Sequence, residues 1–264
     1  MNFSAYLEFA KRAFAREGTY RTEVFTSIGS IVLRVYLLMV VWTALYRDNG
    51  MQRGVPLHAT LTYLTLALLI GLIYNVNGAY LVRERIREGE IAIDFMRPIS
   101  IPLYVFSDTL GQSAFAFFEI VPALALSLFI VHIDPAASPL ALVGFAASLA
   151  FGFIINFFLD MIMATITFWT MEIYGIQLMA QFITTLLSGA LVPLYFFPGI
   201  WEKIVVALPF AAIYNAPLSI YIGRVQGPDI LRTIAGQAVW ALLFMAFSTV
   251  LWRIGERRVV IQGG

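Results

Sequence analysis

Residues 135–159 read PAASPLALVGFAASLAFGFIINFFL, 25 residues without a formal charge, closed by Asp134 on one side and Asp160 on the other. A helix needs about 20 mostly apolar residues to cross about 30 Å of hydrocarbon. This stretch is long enough to span. Three further uncharged runs, 54–82 with 29 residues, 173–201 with 29 and 233–252 with 20, are of the same kind. Of the 264 residues 60% are hydrophobic and 12% charged, against roughly 25% charged in an ordinary soluble domain. The composition excludes a soluble monomer and predicts an all-α, polytopic membrane protein.

Spans are expected at 24–46, 57–81, 103–131, 140–169, 176–197 and 230–252. Residues 204–223 are also uncharged, but they contain Pro209, Asn215 and Pro217 and follow Pro198 and Gly199. Broken backbone at membrane depth is tolerated only where protein or a water-filled cavity covers it. A re-entrant helix pair over 198–223 is therefore expected instead of a seventh span. With six spans and both termini cytoplasmic, eleven Lys and Arg residues fall inside and five outside, with Arg34 in a span. A seventh span would export the basic tail against the positive-inside rule. Ahead of the first span, Phe3, Leu7, Ala10 and Phe14 share one helical face and Glu8, Arg12 and Arg16 the opposite one. Residues 1–23 hold no apolar run, so an interfacial amphipathic helix is expected there and a cleaved signal peptide is not. The whole chain, 1–264, reads as one transmembrane domain in a bacterial inner membrane.

Several chemistries drop out. There is no cysteine, hence no disulfide, thiolate metal site or cysteine nucleophile. The net charge of +1 argues against a nucleic-acid surface. An ATP-binding P-loop needs Gly-Lys-Ser/Thr, and the two lysines, Lys11 and Lys203, follow Ala10 and Glu202. Gly111-Gln112-Ser113 has no histidine within reach to act as base, and the scattered carboxylates form no metal cluster. His58 and His132 read as interfacial residues without special chemistry. No catalytic residue, metal site or bound cofactor is expected.

Between the second and third spans, residues 83–104 read RERIREGEIAIDFMRPISIPLY. Gly89 takes positive φ without strain and can end a helix, while Pro98 disfavours helical geometry at Arg97. Residues 90–96 are expected to form a short helix held at the cytoplasmic surface, with Ile91, Phe95 and Met96 available for docking. In its Gly89-Glu90 and Arg97-Pro98 pairs, and in the layout of the whole chain, the protein resembles the permease subunits of ABC-2 type (type V exporter-like) transporters. The resemblance implies a coupling loop over 83–98 that carries this short coupling helix, with Glu88, Gly89, Glu90, Ile91, Asp94, Phe95 and Arg97 meeting separate ABC ATPase subunits. Those partners would carry ATP and Mg, and a second permease copy or a paralogue would complete the pair in the bilayer. An ordinary positive-inside loop is the alternative.

Four ionisable residues, Arg34, Asp108, Glu119 and Asp160, lie within expected spans. Each costs about 2.5–3.5 kcal/mol at a helix centre and should face protein or water. Arg34 and Asp160 sit at matching depths, roughly 15 and 14 Å from the cytoplasmic ends of their helices. A pair locking two helices is expected, with a proton relay as the other reading. In the fourth span Gly144, Ser148, Gly152, Asn156 and Asp160 repeat every four residues. Small residues at that spacing admit a close neighbour, although the stripe drifts about 40° per step. Packing is expected there. In the fifth span Gln177, Gln181, Thr184 and Ser188 share one face, which reads either as helix–helix hydrogen bonding or as a pathway wall. The resemblance favours the pathway.

The resulting expectation is a non-catalytic permease subunit of an ATP-driven exporter of a small or amphipathic compound. A proton-coupled secondary transporter using Arg34, Asp160 and Glu119 is the alternative.

Overall fold

The computed structural model describes residues 3–47, 51–75, 78–170 and 174–258. Helix α1 (Phe3–Glu17) leads into α2 (Arg21–Leu45), and an antiparallel hairpin of β1 (Met51–Gln52) and β2 (Val55–Pro56) turns the chain into α3 (Leu57–Ile73). Then come α4 (Gly78–Arg87), α5 (Glu90–Phe95), α6 (Ile101–Ser127), α7 (Pro139–Ile166) and α8 (Tyr174–Leu187). After a 3-10 turn at Leu194–Phe196 follow α9 (Ile200–Ala207), a second 3-10 turn (Pro209–Ala212), α10 (Asn215–Tyr221) and α11 (Pro228–Glu256). The protein is all-α but for that small hairpin among the described residues.

Four helices, α2, α6, α7 and α11, are long and apolar enough to cross a membrane. Where the second and fifth spans were expected lie the shorter apolar helices α3 and α8, of 17 and 14 residues. The reading of 57–81 as one continuous helix is corrected at Tyr74, where α3 ends. Its sequence there, Tyr74-Asn75-Val76-Asn77-Gly78, is rich in residues that favour turns over helix. The backbone groups freed at this break are satisfied by side chains from other helices. Ser113 of α6 donates to the Ile73 carbonyl at 2.7 Å, and Asn156 of α7 donates to the Tyr74 carbonyl at 3.0 Å. The fifth segment stops at Leu187 rather than Phe197, because Gly189 turns the chain with φ +85°. A Cβ at Gly189 would sit 2.6 Å from the Tyr63 hydroxyl, so both the conformation and the contact require glycine.

Residues 198–223 form two short helices, α9 and α10, of 8 and 7 residues. At 1.5 Å per residue neither reaches half the hydrocarbon thickness. The turn between them is covered as buried backbone must be. Gln237 of α11, 2% exposed, donates to the Ala212 carbonyl at 2.7 Å and to the Ser148 carbonyl at 3.1 Å.

Two helices organise the packing: α7 carries α11, α10 and α4, while α6 carries α1, α2 and α3. Helix α7 starts at Ser138, whose hydroxyl caps the Ala141 N–H, with Pro139 in the first turn. The main core joins α2, α3, the second half of α6 and the middle of α7 around Tyr63, Leu64, Ile155 and Ile213. A second core, of Val82, Ile91, Ile101, Phe157, Met161 and Trp252, closes the end of the bundle that bears α4 and α5. The outer faces of α2 and α11 stay apolar and exposed, as at Phe25, Leu33, Val41, Leu231 and Phe247. That suits helices whose solvent is lipid.

Helix α1 is strapped along the first part of α6. Tyr6 accepts from the Ser100 N–H, and Phe14 meets Phe115 and Phe118 edge-on. Gly111 makes this approach possible, since a Cβ there would collide with the Ala10 carbonyl. The buried seam centres on Ala13, and Leu7, placed on the apolar face from sequence, is 50% exposed.

Candidate functional site

A cavity of about 460 Å³ opens where α3 breaks. Tyr74 and Asn75 at the break, Asn156 and Asp160 of α7, and Gln177, Gln181 and Thr184 of α8 all line it. Each element contributes for a local reason. The end of α3 exposes a turn instead of a helix wall, α7 presents the inner end of its small-residue stripe, and α8 turns its polar face inward. Ser188 does not join them. It lies just past the end of α8, fully buried, and its carbonyl accepts the Asn215 N–H at 2.9 Å. The lining mixes amides, hydroxyls and one carboxylate with the aromatic rings of Tyr74 and Phe210. Such a surface offers hydrogen bonds in both directions at little net charge.

Tyr74, Asn75 and Asn156 are among the wall residues that the sequence did not mark as lining a cavity. Tyr74 packs against Tyr214 and Phe153, and its hydroxyl donates to the Leu149 carbonyl at 2.8 Å. The cluster of two asparagines and a glycine after Tyr74 was the available signal.

The second structured site is the turn at α5. Gly89 takes φ +76° between α4 and α5, and α5 covers Glu90–Phe95. Asp94, its side chain 7% exposed, is gripped by Arg85 of α4 at 2.5 Å and by Arg97 at 3.1 Å. Ile91 is buried in the second core, whereas Glu88, Gly89, Glu90, Ile93, Phe95, Met96 and Arg97 face outward. The availability of Ile91 for docking is thus corrected. A helix this short can bury only one side, and on that side Asp94 meets Arg85 of α4 and Ile91 enters the second core.

The sequence model of the family described as ABC-2 family transporter protein matches residues 32–263. The chain belongs to this family. No curated protein matches it. The matched span contains the α5 turn and every residue of the cavity wall, and it leaves α1 outside.

Within this ABC-2 chain the four intramembrane charges separate. Arg34 and Asp160 do not pair. Arg34 stands exposed on the outer side of α2, with no ion pair among the described residues, while Asp160 faces the cavity beside α8. Depth along a helix could be read from sequence, but direction around it depends on which neighbours the helix packs against, and α2 packs on α3 and α6. Asp108, 8% exposed, instead receives both nitrogens of Arg16 from α1, at 2.9 and 3.2 Å, and the Gln112 amide at 2.7 Å. The hydrogen bond to Asp108 raises the Arg16 guanidinium above its ordinary range. Glu119 accepts the Ser27 hydroxyl of α2 at 2.7 Å. Asp108 and Glu119 thereby tie α1 and α2 to α6.

At the opposite end of the ABC-2 bundle the two histidines meet. His58 Nδ1 lies 2.5 Å from Asp134 and His132 Nε2 3.7 Å from it. Asp134 also donates its N–H to Thr62 and accepts from Tyr221. The sequence reading gave both histidines no special chemistry, since residues 74 positions apart leave no spacing signal.

Proposed function

We propose that the chain is the membrane-spanning permease subunit of an ATP-driven ABC-2 exporter in a bacterial inner membrane, with both termini cytoplasmic. ATP and Mg would act on separate ABC ATPase subunits. A second copy of the chain or a paralogue would complete the pair. The supporting observation is the cavity, where Asn156, Asp160, Gln177, Gln181 and Thr184 converge on the break in α3. Discontinuous helices around a polar pocket are how membrane proteins present unpaired backbone and side-chain donors to a substrate. A neutral or weakly charged, small or amphipathic compound suits such a wall. The outward residues of the α5 turn, Glu88, Gly89, Glu90, Phe95 and Arg97, would receive the ATPase, while Ile91 and Asp94 would carry its push into the helices they anchor to.

The test is to fill the cavity. Gln181→Trp in the chain co-purified with its ATPase should leave insertion and assembly intact while lowering substrate-stimulated ATP hydrolysis at least about tenfold, as expected when a binding pocket is occluded. Undiminished stimulation would remove the cavity from the pathway. In the same assay Glu90→Ala with Phe95→Ala should weaken co-purification of the ATPase, and unchanged co-purification and transport would end the coupling role. The secondary-transporter reading receives no support from the geometry, because Arg34, Asp160 and Glu119 occupy three separate environments.

A further inference from the structure

The end of the bundle that carries α1 and α5 holds a second polar cavity, of about 220 Å³, separate from the one assigned to the substrate. Four arginines line it, Arg12 and Arg16 from α1, Arg85 from α4 and Arg97 after α5, together with Asp94 and Asp108. The two carboxylates are already engaged, Asp108 by Arg16 and Asp94 by Arg85 and Arg97. Four guanidinium groups face two carboxylates within the lining, and Glu17 and Glu90 beside it lie 3.7 and 3.8 Å from Arg16 and Arg85. Arg12 has no ion pair among the described residues, and Arg85 Nε is buried without a hydrogen-bond partner. Guanidinium groups offer planar, forked donors that match phosphate oxygens, so this cluster, with Arg12 and Arg85 Nε still open, is suited to a phosphate group.

A phosphate could come from solution or from a lipid headgroup, and the neighbouring surface favours the lipid. Ile99 and Ile101 form part of the basic cavity and also part of an apolar groove of about 630 Å³. The groove runs between α6, α7 and α11 past Leu103, Phe106, Phe157, Met245 and Trp252. A soluble anion would fill the first space and leave the second bare. A phospholipid fills both, with its headgroup among the arginines and an acyl chain on the groove. Basic pockets between transmembrane helices at the membrane surface are suited to such headgroups.

We propose that this composite site binds one anionic phospholipid. The lipid bridges α1 and the α5 turn, which hold the phosphate, to α6, α7 and α11, which hold the chain. It thereby fixes the strap helix and the surface turn to the spans.

The full-length chain, purified in detergent, tests this by native mass spectrometry and thermal unfolding with phosphatidylglycerol, phosphatidylcholine or inorganic phosphate added. Phosphatidylglycerol should be retained and should raise the melting temperature more than phosphatidylcholine does. Arg12→Gln with Arg97→Gln should weaken phosphatidylglycerol binding at least about tenfold, the loss expected from removing charge-assisted hydrogen bonds. Arg12→Gln alone, at an exposed position without an ion pair, should show part of that loss should the double variant fold poorly. Thr249→Trp, which blocks the groove, should weaken binding as well, whereas Arg232→Gln on another surface should not. Equal retention of the two lipids, or undiminished phosphatidylglycerol binding in the arginine variants, overturns the site. Stabilisation by inorganic phosphate that matches phosphatidylglycerol overturns the lipid as the source of the phosphate.

Discussion

Along α7 one four-residue repeat meets two different surroundings. From Gly144 to Gly152 the stripe is pressed against protein. Gly144 lies against Ile230 and Ile220, the Ser148 hydroxyl donates to Gln237 at 2.8 Å, and Gly152 faces the Tyr74 hydroxyl and the Ile213 carbonyl. From Asn156 to Asp160 the same stripe opens into the cavity. A four-residue step on a helix of 3.6 residues per turn rotates about 40°, so successive positions leave one neighbour and reach the next. Residue size follows the change of surroundings. Glycine and serine stand where helices touch, and an amide and a carboxylate stand where they part.

The sharpest test of the packed half is Gly152→Leu. A Cβ alone would lie 2.5 Å from the Tyr74 hydroxyl and 2.8 Å from the Ile213 carbonyl. The second of these is backbone and cannot swing aside. Overpacking of this kind should destabilise the fold by of the order of 3 kcal/mol, visible as a large loss of monodisperse protein in detergent size-exclusion chromatography. A variant that purifies normally would mean that α7 is not tightly packed against Tyr74 and the 212–213 backbone.

The open half predicts the reverse pattern. Asp160→Asn keeps side-chain volume at the cavity wall, so folding should lose less than in Gly152→Leu while substrate-stimulated ATP hydrolysis falls. A collapse in stability comparable to that of Gly152→Leu would place Asp160 in the packed half after all. Retained transport that had lost its pH dependence would favour a proton relay.

The sequence carried the regular parts of this architecture further than the irregular ones. Helices α2, α6, α7 and α11 each fill an uncharged or nearly uncharged run, because a membrane solvent imposes a long apolar stretch that no local choice can hide. The break at Tyr74 was hidden by the same rule, since residues 54–82 look like one long span when only charge is counted. Its cause is local, turn-favouring residues at 75–78, but its stability is not, because Ser113 and Asn156 satisfy the freed carbonyls from 40 and 82 residues away. The cavity was half legible for a related reason. Gln177, Gln181 and Thr184 mark one helical face, whereas Tyr74 and Asn75 reach the same space only through the tertiary fold.

The smallest effect is expected at Arg34, the residue that depth alone matched to Asp160. Arg34 is exposed on α2 and forms no ion pair among the described residues, so it contributes no bond that truncation would break. A charge facing hydrocarbon is costly by about 2.5–3.5 kcal/mol unless it snorkels or finds water. Replacing it with leucine should therefore leave the isolated chain as stable as before or slightly more so, as measured by thermal unfolding in detergent. In a double-mutant cycle with Asp160→Asn the two effects should add to within about 0.5 kcal/mol, as for sites that share no partner. Coupling beyond that would restore the pair. If Arg34→Leu leaves the monomer unchanged but weakens self-association in a bilayer, the charge faces a second copy of the chain, and the outer side of α2 is then an interface and not a lipid-facing wall.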